Sequence, residues 1–271
     1  MQADARRSIG GRVKRPVTIV VLSKYPDVLG PFVQSVKTYC PSTPVVLVRD
    51  GYAITPIPGW MLIQGNEKFS MAGNANLGLR AVDPEHDVLY CGDDVRFTQS
   101  DTVAEMASVA HNDSRIGLLS AKICGRGSVT QLSPISAPTR CPPVDMWFVC
   151  VFVKREVINR VGYFDEQFSD FGSDDLDYCL RCLFAGFSLA VTPNVAVQHI
   201  SSSKNGPTTF SRTLGDQEWN HQMLASLKKL RTKYQVPASA LGRLLVSGDL
   251  SFFQSAESSK GRIEKSSGIC E

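Results

Sequence analysis

The stretch FSDFGSDDLDYCLRCLFAGF, Phe168 to Phe187, offers three kinds of chemistry at once. Asp170-Phe171-Gly172 spells a kinase D-F-G, Cys179 and Cys182 form a C-x-x-C pair, and Asp170, Asp174, Asp175 and Asp177 put four carboxylates within eight positions. A kinase also needs a Gly-rich loop, a strand lysine and an upstream H-R-D, none of which the chain offers. The cysteines fall inside a helical pattern. Ser173 suits its N-cap, Asp174 and Asp175 its first turn and Gly186 its end. Leu176, Cys179, Leu180, Leu183, Phe184 and Phe187 recur at helical spacing and predict one buried stripe. A zinc knuckle would need a second ligand pair, and no other C-x-x-C occurs. Asp177 and Arg181 are an i, i+4 pair that reads as a surface salt bridge. On this stretch alone, Asp174 and Asp175 read equally as helix-start charges or as carboxylates held toward an open cleft.

The elements that must position them begin with PVTIVVLS, Pro16 to Ser23, a β-branched run of the kind buried in a parallel sheet. A turn and helix follow in YPDVLGPFVQSVKTYC, then a second strand, Pro44 to Tyr52, a short strand in GWMLIQG, and a helix from Ser70 to Val82. The segment Glu85 to Val95 is apolar and then abruptly acidic. Strands alternating with helices predict an α/β domain with a mainly parallel sheet, whose ligands gather at the strands' carboxyl ends. The polar tips Ser23, Asp50, Asp93 and Asp94 should therefore converge on one crevice. In the second half, RIGLLSAKIC reads as a strand, and VDMWFVCVFVKREVINRVGYF as a strand running into a short helix. Phe187 to Ile200 reads as a strand pair ending at His199. An amphipathic helix follows, with Leu224, Leu227 and Leu230 on one apolar side.

A chain of 271 residues, 43% hydrophobic and 20% charged, is long enough for one large α/β domain. The natural division is a basic leader, 1–15, a domain, 16–235, and a C-terminal extension, 236–271, whose polar end from Ser255 suggests disorder. A net charge of +3 with scattered basic residues argues against a dedicated nucleic-acid binder. No apolar run approaches the roughly 20 residues of a membrane helix, and no signal-peptide pattern opens the chain. The expectation is a soluble cytoplasmic protein, with its eight cysteines as buried core residues rather than a disulfide framework.

VGYFDEQFSDFGSDDLDYCLRCLFAGFSLAVTPNVAVQH resembles the second half of the inverting family 2 glycosyltransferases of the GT-A fold, including the rhamnosyltransferases. That pattern is roughly G-x-F-D-E-x-F, a spacer, [ED]-D-x-D-x-x-x-R, then G-[FY] and a later His. It is met by Gly162, Phe164, Asp165, Glu166, Phe168, Asp174, Asp175, Asp177, Arg181, Gly186, Phe187 and His199. AGNANLGLRAV resembles the family's G-x-x-x-N-x-G segment, and DVLYCGDDV its D-x-D region.

The resemblance implies a Rossmann-like, mainly parallel sheet flanked by helices, with a C-terminal helical extension. It implies transfer of one sugar from a UDP-, dTDP- or GDP-linked donor to a glycan or lipid-linked glycan, with peripheral membrane contact or a homodimer as further options. Asp175 would be the general base and Asp174 would orient the acceptor. Asp94 and His199 would hold Mn²⁺ or Mg²⁺, and Asp93 would lie at the ribose or metal edge. Asp50 would accept from the base, with Ser23, Gly73 and Asn76 around the nucleotide. Asp145 and Trp147 would form the acceptor wall. Gly92 replaces the first acid of D-x-D, leaving the metal one carboxylate fewer. His86, His111 and His221 are read as surface or structural. A nucleotidyltransferase and a non-catalytic nucleotide- or carbohydrate-binding module are the alternatives.

Overall fold

The structure, a computed structural model, describes residues 15–66, 70–169, 172–200 and 209–253. Residues 1–14 of the leader, the whole polar end from Ser255, and Asp170 and Phe171 of the D-F-G lie outside the described residues. Among the described residues nine strands form one sheet: β1 (Val17–Ser23), β2 (Val45–Arg49), β3 (Trp60–Gln64), β4 (Asp87–Gly92), β5 (Val95–Phe97), β6 (Ile116–Gly125), β7 (Thr139–Arg140), β8 (Cys150–Val153) and β9 (Ser188–His199). Their order is β3-β2-β1-β4-β8-β6-β9-β5, with β7 also on β9. The helices are α1 (Pro26–Tyr39), α2 (Met71–Ala81), α3 (Thr102–Asn112), α4 (Val129–Leu132), α5 (Arg155–Val161), α6 (Asp174–Phe184), α7 (Thr209–Tyr234) and α8 (Ala238–Ser247). No helix among the described residues is long and apolar enough to cross a membrane.

Strands β3, β2, β1 and β4 run parallel, and β8 enters antiparallel between β4 and β6. All of β1 is buried because its alternate residues serve two layers. Ile19 and Val21 pack with Phe32 of α1 and Met106 of α3, while Val20 and Leu22 pack with Leu79 of α2 on the opposite face. Helix α2 comes so close to the sheet that a Cβ on Gly78 would lie 2.5 Å from Val20 Cγ1 and 3.2 Å from Val48 Cγ2. Gly78→Ala is expected to lower stability by about 1–3 kcal/mol through overpacking, despite alanine's better helix propensity. Thermal unfolding checks this, and an unchanged or raised Tm would contradict the close approach.

Five expectations need correction, the first being that Cys124, expected in the core, is exposed. The segment after Phe187 is one strand, β9, with a bulge rather than a strand pair. Its register on β6 jumps from Ala121↔Thr192 to Lys122↔Ala196, where Pro193 has no N–H to give the ladder. Leu224 is 67% exposed whereas Leu230 is fully buried. A strict i+3 series drifts by about 60° per step around a helix, so its members leave the apolar face. Ser173 makes no side-chain cap and has a left-handed backbone, φ 62°. Asp177 is not on the surface but wholly buried.

That burial follows from a third layer. Leu176 and Leu180 of α6 pack with Phe168, Leu230 and Tyr234, with Leu241 and Leu244 of α8, and with Phe253. Cys179 and Cys182 turn the other way, into the sheet-side core. Helix α6 is thus buried on two sides, and both cysteines are free and buried.

Candidate functional site

Because β1, β2 and β4 are parallel, their carboxyl ends share one edge of the sheet, and Ser23 is in register with Arg49 while Leu22 is in register with Gly92. This brings Ser23 next to Asp93, and its hydroxyl donates to Asp93 Oδ2 at 2.6 Å. The Tyr52 hydroxyl donates to Ser23 Oγ at 2.7 Å. Burial raises the Asp93 carboxyl to about 7, with the nearby Asp94 charge adding to it and the Ser23 bond opposing it. Asp50, on the neighbouring tip, accepts from Lys24 Nζ at 2.9 Å.

The turn made by Asp93 and Asp94 leads into β5, which pairs antiparallel with the end of β9 through Val95↔His199. Asp94 Oδ2 consequently lies 3.1 Å from His199 Nε2. The other imidazole nitrogen, Nδ1, faces the Arg126 carbonyl, which can only accept, so Nδ1 carries a proton. Nε2 is thereby directed at Asp94. Burial lowers the His199 pKa, but the bond and charge of Asp94 outweigh it and leave the imidazole above its ordinary value. A Cβ at position 92 would sit 2.7 Å from Asp94 Oδ1, so glycine there makes room for this carboxylate.

The paired acids sit across the same space. The chain reaches α6 through Gly172, with φ 99°, whose carbonyl accepts from Ser226 of α7. Asp174 and Asp175 open the helix, and Leu176 N–H donates to Asp175 Oδ1 at 2.7 Å. Burial raises both carboxyls, and the charge of Asp175 raises Asp174 further. The first members of the matched motif hold this loop. Asp165 accepts from Lys233 of α7 at 2.7 Å, and Glu166 accepts from Asn76 of α2 at 2.8 Å. One turn into α6, Asp177 accepts from Arg181 Nε at 2.8 Å and from the Tyr234 hydroxyl at 2.9 Å, and lies 2.5 Å from Lys233 Nζ.

A cavity of about 470 Å³ joins the two halves. Ser23, Asp93, Asp94, His199, Asp174 and Asp175 all line it, as does Trp147, which is 38% exposed and not a core residue. Lys24 and Arg126 bring cationic groups to the same wall, and Trp219, Met223 and Leu227 of α7 with Leu245 of α8 form another. Four expected site residues are placed elsewhere. Asp50 is tied up behind Lys24. Gly73 serves the start of α2, its N–H donating to Ser70 Oγ at 3.1 Å. Asp145 accepts from Thr130 at 2.5 Å, outside the lining. Asn76 exchanges hydrogen bonds with the Phe164 backbone at 2.8 and 2.9 Å. The helix α2 residue that reaches the cavity is Asn74. Residues two apart on a helix point about 200° from each other, a signal in the sequence that motif spacing overrode.

The donor set fits a divalent cation. Asp94 supplies a carboxylate oxygen, and His199 an imidazole nitrogen whose partner N–H is held by a carbonyl, the arrangement of metal-ligating histidines. No group of three or more His, Cys, Asp or Glu among the described residues could hold an ion alone, so the remaining positions would fall to the ligand or water. His111, by contrast, pairs with buried Asp87 at 2.6 Å, and His86 Nδ1 lies 2.9 Å from Thr18 Oγ1, both structural.

A parallel β3-β2-β1-β4 half with an acidic turn after β4, joined through β8 to a long β6-β9 pair, is the architecture of the GT-A glycosyltransferases, and the chain has that fold. Three solved structures share it. The chain is similar to S. aureus TarS 1–349, at 12% identity and a TM-score of 0.60, covering 94% of this chain and 75% of that one. It is similar to S. aureus TarS, at 12% identity and a TM-score of 0.57, covering 90% and 55%. It is also similar to GalNAc-T7 crystallised with UDP, GalNAc and Mn²⁺, at 14% identity and a TM-score of 0.63, covering 93% and 55%. The chain therefore spans little more than half the length of two of these three. No protein-family model and no curated protein matches the sequence.

Proposed function

We propose that the protein is an inverting glycosyltransferase that moves one sugar from a nucleoside-diphosphate donor to a hydroxyl of a glycan or lipid-linked glycan. The observation that carries this reading is the single cavity in which Asp93, Asp94 and His199 face the buried pair Asp174 and Asp175. Ser23 and Asp93 would bind the nucleotide end, and Lys24 and Arg126 would face the diphosphate. Asp94 and His199 would hold Mn²⁺ or Mg²⁺, which when bound neutralises the charge left on the diphosphate.

Asp175 would take the proton of the acceptor hydroxyl as its oxygen attacks the anomeric carbon. The bond from that carbon to the phosphate oxygen breaks on the opposite face, and its electron pair leaves with the diphosphate. Raised above the ordinary carboxylate range by burial, Asp175 is a stronger base than a free aspartate. Asp174, raised further by its neighbour, would keep its proton longest and orient the acceptor. Trp147 at the mouth offers a ring face for a sugar to stack on. UDP, dTDP and GDP remain equal choices of donor nucleotide.

The metal assignment has its own test in titration calorimetry with UDP-, GDP- and dTDP-sugars, with and without Mn²⁺. Wild type should bind one of them more tightly with the ion, and Asp94→Ala should lose most of that increment, about tenfold or more in affinity. An increment of equal size in the variant would remove Asp94 from the metal.

A further inference from the structure

The lining of the cavity divides by chemistry. Its charged members Lys24, Asp93, Asp94, Arg126 and His199 stand at strand ends, and Asp174 and Asp175 at the start of α6. Every lining residue from α7, α8 and the segment 143–149 is apolar, Val144, Trp147, Trp219, Met223, Leu227 and Leu245 among them. We infer that this apolar wall seats the hydrocarbon chain of the acceptor, so that the protein takes the lipid-linked class. This rests on the glycosyltransferase reading and deepens it.

The wall begins at the paired acids. Leu176, next in the chain after Asp175, packs in one cluster with Val144 and Leu227. Met223 stands so close to the loop before Asp174 that a Cβ on Gly172 would lie 2.7 Å from its Sδ. A molecule that holds its hydroxyl at Asp175 therefore has α7 beside it. Nor does the wall end in the core. Trp147 and Leu245 are 38% and 42% exposed, and Val246, next along α8, is 89% exposed. An apolar path thus leads from the acids to the surface.

The occupant follows from what the wall can bind. Helices α7 and α8 spend most of their backbone N–H and C=O groups on their own turns, and their lining side chains add no charge, hydroxyl or amide. A glycan or peptide laid along them would bury polar groups without partners, which is destabilising. A hydrocarbon chain gives up no hydrogen bond there and gains by leaving water. The flexible thioether of Met223 also adapts to a chain of irregular shape. A chain-bearing acceptor can place its sugar head at Asp175 and Trp147 and lay its chain along α7 and α8.

The test is calorimetry on the full chain with methyl β-glucoside, maltotriose, and octyl β-glucoside below its micelle-forming concentration. Octyl glucoside should bind wild type at least about tenfold more tightly than methyl glucoside, the return from burying about two methylenes of its chain. Maltotriose should bind no more tightly than methyl glucoside. Leu245→Glu should lose most of the octyl preference. Met61→Glu, at an exposed apolar residue of β3 outside the lining, should keep it. Equal affinity for the octyl and methyl glucosides, tighter binding of maltotriose, or an octyl preference that survives Leu245→Glu would overturn the inference. A dimer in sedimentation that Leu245→Glu dissociates would give the wall to a second copy and overturn it too. Sugar-nucleotide binding with Mn²⁺, titrated separately, keeps the two claims apart. If it occurs without an octyl preference, only the chain falls. If no UDP-, GDP- or dTDP-sugar binds, the glycosyltransferase reading falls and the acceptor role with it.

Discussion

Asp175→Asn is expected to cut sugar transfer by about 100- to 10,000-fold, the usual worth of a general base, while sugar-nucleotide affinity stays close to that of wild type. The substitution keeps the shape and removes only the charge that accepts the proton. Unfolding is not the expected cause of the loss. Asp174 and Asp175 are both raised by burial, so ionising them inside the fold is costly, and removing one charge should leave Tm equal or higher at neutral pH. The same burial sets the pH profile. A base raised above the ordinary carboxylate range must lose its proton to work, so kcat/KM should fall as the pH drops through the raised value, about 6 for Asp175. Because the two carboxyls share their titration, the limb belongs to the pair. A variant with wild-type kcat, or a wild-type profile flat from pH 5 to 8, would remove Asp175 from the chemistry.

Asp177→Ala should act on stability instead. Asp177 is fully buried and is the common partner of Arg181, Lys233 and Tyr234. Removing it leaves two cations and a hydroxyl facing one another in a packed layer, and breaking a buried ion pair from one side costs about 3 kcal/mol or more. At about 2–4 °C per kcal/mol for a chain of this size, Tm should fall by roughly 6–12 °C. The loss should spread beyond the pair, because Lys233 also holds Asp165, and α7 supplies Met223 and Leu227 to the cavity. A Tm drop under about 2 °C would mean that the helices stay docked without the network.

Much of the fold was legible because β1, β2 and β4 are buried on both faces, and such strands read as continuous apolar runs. Their polar ends could then be assigned to one edge, and Ser23, Asp93 and Asp94 do meet there. Position alone left Asp174 and Asp175 open between helix-start charges and cleft carboxylates, and only the family resemblance singled them out; both line the cavity. What escaped depends on which way a side chain turns. Asn74 and Asn76 differ by two positions and face opposite sides of one helix. Asp145 looks like a wall residue until Thr130, fifteen positions earlier in the chain, claims its carboxylate. Asp177 reads as a surface charge because nothing local announces that α7 and α8 will cover it. The strain at Ser173 was hidden by its own chemistry, since serine is the residue expected at an N-cap.

The most direct measurement follows the sugar released when wild type, with Mn²⁺, is given α-linked UDP-, GDP- and dTDP-hexoses in water, by proton NMR at early times. An inverting enzyme working through this cavity should turn over one donor slowly, with water in place of the acceptor, and its β anomer should appear first. Appearance of the α anomer first, or no release from any donor, would contradict an oxygen, deprotonated by Asp175, attacking from the face opposite the diphosphate.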